Sequence, residues 1–226
     1  MDPLVNPVWH ALVGPQRELG RRIGGAARYL ETVAPFAALD DKAAPAAWDD
    51  LARLLGPGAG ALVTGRPGIR VPPGWVERFR GTGVQLVARE DAPDGAADGL
   101  RPLGGADVDA MLGLVERTRP GPFARRTIEL GAYLGVFVDG QLAAMAGERM
   151  RIAGHVEISA VCTDPAFRRR GYAATLVQAL MRRIRVRGDR PFLHVATGND
   201  DAIRLYGSLG FEQTRTLELC GVRAPG

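Results

Sequence analysis

A two-residue turn between two apolar segments constrains the fold of this chain more than any other feature. Asp139-Gly140 separates the segments Tyr133–Val138 and Gln141–Arg149. Asp-Gly pairs favour the type I′ turn of tight β-hairpins, because both central residues of that turn need a positive φ angle. A third apolar segment, His155–Thr163, follows directly. The sequence therefore predicts three consecutive antiparallel strands in the second half of the chain.

Helices are predicted before and after these strands in the sequence. Asp107–Arg117 and a longer segment from about Gly171 to Arg187 space their apolar residues three and four positions apart. Phe192–Ala196 predicts a strand, Asp200–Leu209 a helix, and Phe211–Val222 a closing strand or pair of strands. The order α, β, β, β, α, β, α, β predicts an α+β fold, with a mixed, mostly antiparallel sheet flanked by helices.

The first half of the chain carries weaker signals. Segments 45–55 and 73–80 predict helices, and short apolar runs at 61–64 and 84–88 predict strands. No dense cluster of polar residues occurs in this half of the sequence. We expect it to act as a scaffold or to shape the substrate.

The stretch from Glu90 to Gly99 separates the two halves. It is acidic, rich in small residues and rich in turn-forming residues, a composition typical of a linker. The sequence therefore predicts a first lobe over residues 1–98 and a second domain over residues 101–226.

The positive charge of the chain is concentrated in one short segment. Residues 164–190 hold eight arginines against Asp164 and Asp189, whereas the whole chain has a net charge of only +4. Such a concentrated charge fits a compact polyanion and is a poor match for a broad DNA-binding face. We therefore expect no nucleic-acid partner.

Two further classes of protein are not expected from the composition. No apolar run approaches the 18–20 residues or so that span a bilayer, so no membrane partner is expected. The N-terminus does not resemble a secretory signal, and Cys162 and Cys220 have neither metal-site nor disulfide-framework spacing. We expect a cytoplasmic protein without a metal.

A basic loop joins the third strand of the meander to the long helix. It reads Arg168-Arg169-Arg170-Gly171-Tyr172-Ala173-Ala174. The free N–H groups of the first helical turn and the positive end of the helix dipole point back into this loop. Gly171 lets the backbone approach a ligand closely, so the segment predicts a cradle for a pyrophosphate. The alternative is that Gly171 only makes a turn and that the arginines are solvated.

Two motifs carry a resemblance to a known family. Arg168-x-x-Gly171-x-Ala173 resembles the acyl-CoA signature of the GNAT superfamily of N-acetyltransferases, with Ala173 where glycine is commoner. Twenty-five residues past Ala174, Asn199-x-x-Ala202-x-x-Leu205-Tyr206-x-x-x-Gly210-Phe211 is similar to the second motif of that family at every specified position. The resemblance covers about residues 101–222 and implies a GNAT-like acyltransferase fold. The first half looks like the degenerate lobe of two-lobed relatives such as the glycine N-acyltransferase-like proteins.

The resemblance also implies a function and a set of binding residues. The implied reaction is acetyl transfer from acetyl-CoA to a primary amine by direct attack in a ternary complex, on a small-molecule amine or a peptide. A monomer or homodimer is expected. The implied cofactor-binding residues are Val161, Cys162, Thr163, Arg168, Arg169, Arg170, Gly171, Tyr172, Ala173, Ala174 and Asn199. Asn199 is equally suited to capping the following helix. The alternative function is a non-catalytic CoA-binding sensor or assembly module.

Two residues are candidates for catalysis. The resemblance implies that Tyr206 is a general acid facing the CoA sulfur, and the alternative is a core tyrosine. Glu157 is the candidate base, because strand alternation places it on the same face of the strand as His155 and Ser159. A polar strand face suggests an open cleft. The spacing of Glu157, eleven residues before Arg168, matches the base of some relatives. The alternative is that Glu157 is only the partner of an arginine.

Two local features complete the predicted site. The strand alternation breaks at Val161-Cys162-Thr163, which predicts a bulge that ends the pairing there. We expect the loops 117–132 and 210–222 and the first lobe to form the wall around the substrate.

Overall fold

The computed structural model describes residues 2–40, 46–93, 95 and 99–226. Across these ranges, eleven strands form one sheet in the order β1-β2-β3-β4-β11-β5-β10-β9-β8-β7-β6. The strands of the first half are β1 (Gly20–Ile23), β2 (Ala26–Tyr29), β3 (Phe36–Leu39), β4 (Gly60–Gly65) and β5 (Val76–Ala88). The strands of the second half are β6 (Arg101–Leu103), β7 (Tyr133–Val138), β8 (Gln141–Ile152), β9 (His155–Thr163), β10 (Arg190–Ala196) and β11 (Phe211–Arg223).

Helices cover both faces of this sheet. They are α1 (Pro7–Leu12), α2 (Ala46–Leu55), α3 (Val108–Thr118), α4 (Tyr172–Val186) and α5 (Asp200–Ser208). Among the described strands, only the pairs β3·β4 and β9·β10 run parallel. The α+β class, with a mixed and mostly antiparallel sheet between helices, is therefore confirmed.

The meander predicted around Asp139-Gly140 is confirmed in detail. β7 and β9 have the predicted bounds, and β8 extends three residues further than expected. Asp139 and Gly140 have φ angles of 48° and 78°, as a type I′ turn requires.

The long helix α4 shows why its apolar stripe is needed. Leu176, Val177, Leu180, Met181 and Ile184 are fully buried against the sheet. Each of these side chains contributes about 1.5–3 kcal/mol on leaving water. On the opposite face, Met111 and Leu114 of α3 pack against Tyr133, Met145 and Cys162. Helices α4 and α3 therefore pack on opposite faces of the central strands.

Strand β5 joins the two halves of the chain. It comes from the first half but lies between β10 and β11, and it pairs antiparallel with both. The two halves are thus continuous through one sheet. The predicted boundary between residues 98 and 101 remains a prediction, since residues 94 and 96–98 of the linker lie outside the described part of the chain.

Local patterns misled the prediction of the first half in one place. The helix expected over 73–80 is wrong, because residues from Val76 onward belong to the long strand β5. Pairing with β11 along this whole segment overrides the local pattern. The short strands β1, β2 and β3 of the first half, and β6 at the start of the second half, were not predicted at all. The helix expected over 45–55 is observed as α2, although residue 45 lies outside the described part of the chain.

Candidate functional site

Two parallel strands separate at the centre of the sheet and open a cavity between them. β9 and β10 pair from His155 with Arg190 to Glu157 with Phe192, and their pairing ends there. Beyond this point, β9 from Ile158 onward and the end of β10 line a cavity of about 980 Å³. Peptide groups on the inner edges of the two strands have lost their neighbour, so they are available to hydrogen-bond a ligand.

A β-bulge exposes part of β9 to this cavity. The pairing with β8 passes from Gly147 with Ser159 to Met145 with Cys162, so Ala160 and Val161 together face one residue of β8. Ala160 has a φ angle of 52°. The bulge therefore lies slightly before the position predicted from the sequence. The prediction that it ends the pairing is wrong, because Thr163 still pairs with Ala144. Unpaired peptide groups at a bulge can turn towards a ligand.

The basic loop adopts the conformation that an anion site needs. Gly171 is the N-cap of α4 and has a φ angle of 79°, in the left-handed region. Arg169 also has a positive φ angle, of 62°. A Cβ atom at Gly171 would meet no atom within 4 Å, so the need for glycine here is conformational. The first N–H groups of α4 have no acceptor within the helix, and they can bind a negatively charged group.

An ion pair holds this loop against α3. Arg117 Nε donates to Asp164 Oδ2 at 2.6 Å, and Asp164 also accepts from the Ala166 N–H at 3.0 Å. The hydrogen bond from Arg117 is the main reason that the pKa of Asp164 lies below its usual range. The carboxylate therefore stays ionised and fixes the end of β9.

Several arginines of the concentrated basic segment make structural contacts outside the loop. Arg185 and Arg190 donate to backbone carbonyls at the end of β5, and Arg187 pairs with Glu148 at 2.8 Å. Only Arg168–Arg170 belong to the loop itself. The excess positive charge therefore serves partly to attach the first half of the chain.

Tyr206 of α5 lies at the wall of the cavity. Its side chain is 8% exposed, and its ring packs edge-on against Phe211 with 6.0 Å between centroids. Burial raises the pKa of Tyr206 to about 12, and the nearby Cys162 adds to the rise. Within the described part of the chain, its hydroxyl has no protein hydrogen-bond partner. Asn199 caps the same helix by accepting from the Ala202 N–H at 3.3 Å, and it also lines the cavity.

Glu157 does not face an open cleft, contrary to the expectation from strand alternation. It is 0% exposed, and Arg149 donates to both of its carboxylate oxygens, at 2.6 and 2.8 Å. His194 Nδ1 lies 2.6 Å from Glu157 Oε1. Burial alone would raise the pKa of Glu157, but Arg149 and His194 outweigh it and lower the pKa to about 2. Arg149 and His194 line the cavity, whereas Glu157 lies behind them.

The hydrogen bonds around His194 define its tautomer. Gln85 Nε2 donates to the Leu4 carbonyl at 2.9 Å and lies 3.0 Å from His194 Nε2. Because an amide nitrogen can only donate, His194 Nε2 must accept. The imidazole proton is then on Nδ1, from which it is donated to Glu157. The lone pair of Nε2 is therefore directed at the Gln85 amide, and both side chains line the cavity.

Three polar side chains on neighbouring strands form one row across the sheet. Gln85 of β5 is the register partner of both Arg215 on β11 and His194 on β10. All three line the cavity, and we call them the polar row. The sequence did not reveal the polar row, because its members lie on three strands that are distant in the chain. No local signal marks them either, because β5 and β11 carry several other polar residues.

The predicted site residues divide into three groups. Val161, Cys162, Thr163, Arg168, Asn199 and Tyr206 line the cavity. The other predicted loop residues surround the start of α4 and do not line this cavity; they are Arg169, Arg170, Gly171, Tyr172, Ala173 and Ala174. Glu157 is buried behind the wall. The expected wall segments 117–132 and 210–222 both contribute residues.

The first half of the chain supplies much of the remaining wall. The N-terminal segment around Leu4 and Val8, the end of β4 at Thr64 and the middle of β5 all line the cavity. Within the described residues, no group of three or more His, Cys, Asp or Glu is placed to bind a metal ion. No helix of the described ranges has the length and apolar character needed to cross a bilayer.

Comparisons with known proteins identify the family of this chain. The family model for FR47-like proteins matches residues 133–219. A GNAT-family protein from Novosphingobium aromaticivorans is 37% identical to this chain, with a TM-score of 0.91 and complete coverage of both chains. No functionally curated protein sequence matches this chain.

More distant structures share the fold. A GCN5-related N-acetyltransferase from Kribbella flavida is 19% identical, with a TM-score of 0.63 and 96% of each chain covered. Another from Sphaerobacter thermophilus is 18% identical, with a TM-score of 0.51, covering 89% of this chain and 78% of that one. These matches do not single out the glycine N-acyltransferase-like subgroup. The full-length match at 37% identity, together with the opened β9 and β10 strands and the basic loop, shows that this chain belongs to the GNAT family of acetyltransferases.

Proposed function

We propose that this chain transfers an acetyl group from acetyl-CoA to a primary amine, by direct attack while both substrates are bound. The observation that supports this most is the cavity between the separated strands β9 and β10, which Tyr206 and the bulged part of β9 both line. The basic loop adjoins it at the end of β9. A thioester donor with a pyrophosphate and a long polar arm matches this order of features.

The residues present fit acetyl-CoA. The N–H groups at the start of α4 and the arginines Arg168–Arg170 would hold the pyrophosphate, where each anion–dipole contact contributes about 0.3–1 kcal/mol. Charge-assisted hydrogen bonds there contribute about 1.5–3 kcal/mol each. The unpaired peptide groups of Ala160 and Val161 would bind the pantetheine arm. The bound cosubstrate supplies the activated acetyl group.

Tyr206 is the proposed acid. Its raised pKa, about 12, keeps the phenol protonated at neutral pH. Such a phenol is a weak acid towards a thiolate whose conjugate acid has a pKa of about 8.5. Proton donation by Tyr206 would therefore have to accompany the departure of the sulfur. Its hydroxyl has no competing protein acceptor within the described residues, so it is available for this contact.

The proton of the amine has a proposed route through His194. Glu157, with a pKa of about 2, is a poor direct acceptor of a proton. It contributes instead by orienting His194 and by stabilising the positive charge that forms when His194 Nε2 takes up a proton. The amine N–H would replace the Gln85 amide as the donor to that lone pair. The proposed base is thus His194 assisted by Glu157, in place of Glu157 alone.

The buried thiol in the cavity wall favours direct attack over an acyl-enzyme. Cys162 is buried, and burial raises the pKa of its thiol to about 11. A thiol with this pKa is protonated at neutral pH, and only the thiolate is a strong nucleophile.

A ligand-binding and activity experiment tests the proposal. At 100 times its Kd, acetyl-CoA should stabilise the protein by about 2.7 kcal/mol, which raises the Tm of a chain of this size by roughly 5–10 °C. Release of free thiol in the presence of an amine panel measures turnover. Tyr206→Phe should lower kcat by about 100-fold and leave the acetyl-CoA-induced rise in Tm unchanged. An unchanged Tm in millimolar acetyl-CoA would refute the cosubstrate, and an unchanged kcat would remove the acid role of Tyr206.

A further inference from the structure

The charged residues at the wall of the cavity all have the same sign. Five arginines line it: Arg66, Arg119, Arg149, Arg168 and Arg215. No aspartate or glutamate lines it within the described part of the chain. The two nearby carboxylates, Glu157 and Asp2, are each already paired with one of these arginines. The wall therefore offers no free negative charge to a cationic ligand.

Arg168 belongs to the loop proposed for the pyrophosphate, and the other four arginines lie elsewhere on the wall. Arg66 follows β4, and Arg119 ends α3 with a φ angle of 47°. Neither has an ion-pair partner among the described residues. Both arginines therefore add positive charge to the cavity away from the basic loop.

Among the five arginines, Arg215 is the one whose surroundings say most about a ligand. It belongs to the polar row, two strands from His194. One of its terminal nitrogens pairs with Asp2 at 2.5 Å, whereas its Nε is buried and has no hydrogen-bond partner. Thr64 Oγ1, on β4, is likewise buried without a partner and lines the same cavity. Buried polar groups are nearly always satisfied, so two unsatisfied groups beside one cavity require a partner, which either an ordered water or a polar ligand that repacks this wall would provide.

The position of the polar row relates Arg215 to the reaction. Adjacent strands are about 4.8 Å apart, so Arg215 and His194 are separated by roughly 10 Å at the backbone. Their side chains extend into one cavity from the same face. An amine held at His194 Nε2 could therefore place an anionic group a few bonds away within reach of the Arg215 guanidinium, which suits a planar carboxylate.

We infer that the acceptor is an amine that also carries a carboxylate group, as an amino acid does, and that Arg215 binds this carboxylate. The inference rests on the proposed amine acetylation and specifies its substrate class. A polyamine or a polycationic amine would place a second ammonium group against arginines and would find no free carboxylate to receive it.

Matched pairs of acceptors test the inference. Amino acids and their carboxamides, such as glycine with glycinamide and phenylalanine with phenylalaninamide, differ in the charged group and keep the amine in place. We expect kcat/KM of the acid, measured by thiol release from acetyl-CoA, to exceed that of the carboxamide by tenfold or more. Spermidine should react more slowly still. Carboxamides or spermidine that react as well as the acids would overturn the inference and leave the acetyltransferase proposal intact.

A variant and a binding measurement complete the test. Arg215→Gln should reduce the ratio of kcat/KM for the acid to kcat/KM for its carboxamide about tenfold, through a higher KM for the acid. Arg223→Gln is the matched control, because Arg223 lies exposed on the same strand outside the cavity wall. If no amine in the panel is acetylated, the same pairs are compared by their effect on the Tm of the CoA-saturated protein. Acids that raise the Tm no more than their carboxamides do would then refute the substrate class, whereas a missing response to CoA itself would refute the proposed function.

Discussion

The cavity has two walls that are built in different ways. One wall is made by consecutive residues from the bulge in β9 to Arg168, together with Asn199 and Tyr206 of the next helix, and it continues outside the cavity into the rest of the basic loop and the start of α4. The other combines the polar row with Arg149 and residues of the first half. The first wall depends on backbone conformation, and local sequence dictates it. The second depends on side chains from strands that are far apart in the chain, so no sequence motif predicts it.

This difference assigns separate tasks to the two walls. Peptide N–H groups at a bulge and a helix N-terminus suit a cosubstrate that is common to a whole family. Side chains such as Arg215 and His194 lie on strands that pair through their backbones, whichever side chains they carry. The acceptor specificity of this protein is therefore expected to reside in the second wall.

The largest expected effect concerns the buried ion pair behind the second wall. Glu157→Gln leaves the Arg149 charge without its buried partner, so the free energy of unfolding should fall by about 3–5 kcal/mol. Chemical denaturation at neutral pH measures it. Glu129→Gln is the matched control, since Glu129 pairs with Arg126 at the surface and should contribute less than about 1 kcal/mol.

The same ion pair predicts a pH dependence. The pKa of Glu157 is lowered from 4.5 to about 2, so its stabilisation is present above pH 4.5 and is lost as the pH falls towards 2. The loss amounts to about 3 kcal/mol, and the Glu157→Gln protein should lack it. If the two walls are independent, this variant still gains stability from acetyl-CoA. A variant that lost only its response to acetyl-CoA, with unchanged stability, would contradict the separation of the two walls.

The second expected effect concerns the proposed base. His194→Gln should lower kcat by about 100-fold for strongly basic amines and by less for weakly basic amines, which are already neutral at the assay pH. Acetyl-CoA-induced stabilisation should persist. His155→Gln is the matched control, because His155 lies on the neighbouring strand and does not line the cavity. Equal losses in the two variants, or a loss that is the same for every amine, would assign a structural role to His194.

The sequence predicted the strands and the helix that carry the first wall, because their signals are local. The Asp139-Gly140 turn, the apolar stripe of α4 and the glycine at its start each depend on a few neighbouring residues. Strand alternation, in contrast, predicted the face of the sheet on which Glu157 lies. It could not predict which residues cover that face. Arg149 lies within a register shift in β8, between Glu148 and Arg151, and His194 is contributed by the adjacent parallel strand. Neither partner is visible from the residues around Glu157, so a buried ion pair looked like an open cleft.

The first half was less predictable for the same reason. β5 is a long strand because β10 and β11 pair with it on both sides, and these partners lie more than 100 residues away. Its N-terminal segment looked helical in isolation. The contribution of the first half to the cavity follows from this insertion, since β5 carries Gln85 into the centre of the second domain.

The smallest expected effect tests the first wall at its glycine. Gly171→Ala should lower the free energy of unfolding by about 1–2 kcal/mol, because alanine is strained at a φ angle of 79°. The KM for acetyl-CoA should rise several-fold, since relief of the strain would turn the loop N–H groups away from the pyrophosphate. Gly188→Ala is a closely matched control: Gly188 follows the other end of α4, has a φ angle of 81° and has no atom within 4 Å of an added Cβ. Both variants should lose similar stability, and only Gly171→Ala should weaken acetyl-CoA. An equal change of KM in the two variants would show that α4 as a whole, and not the loop at its start, determines cosubstrate binding.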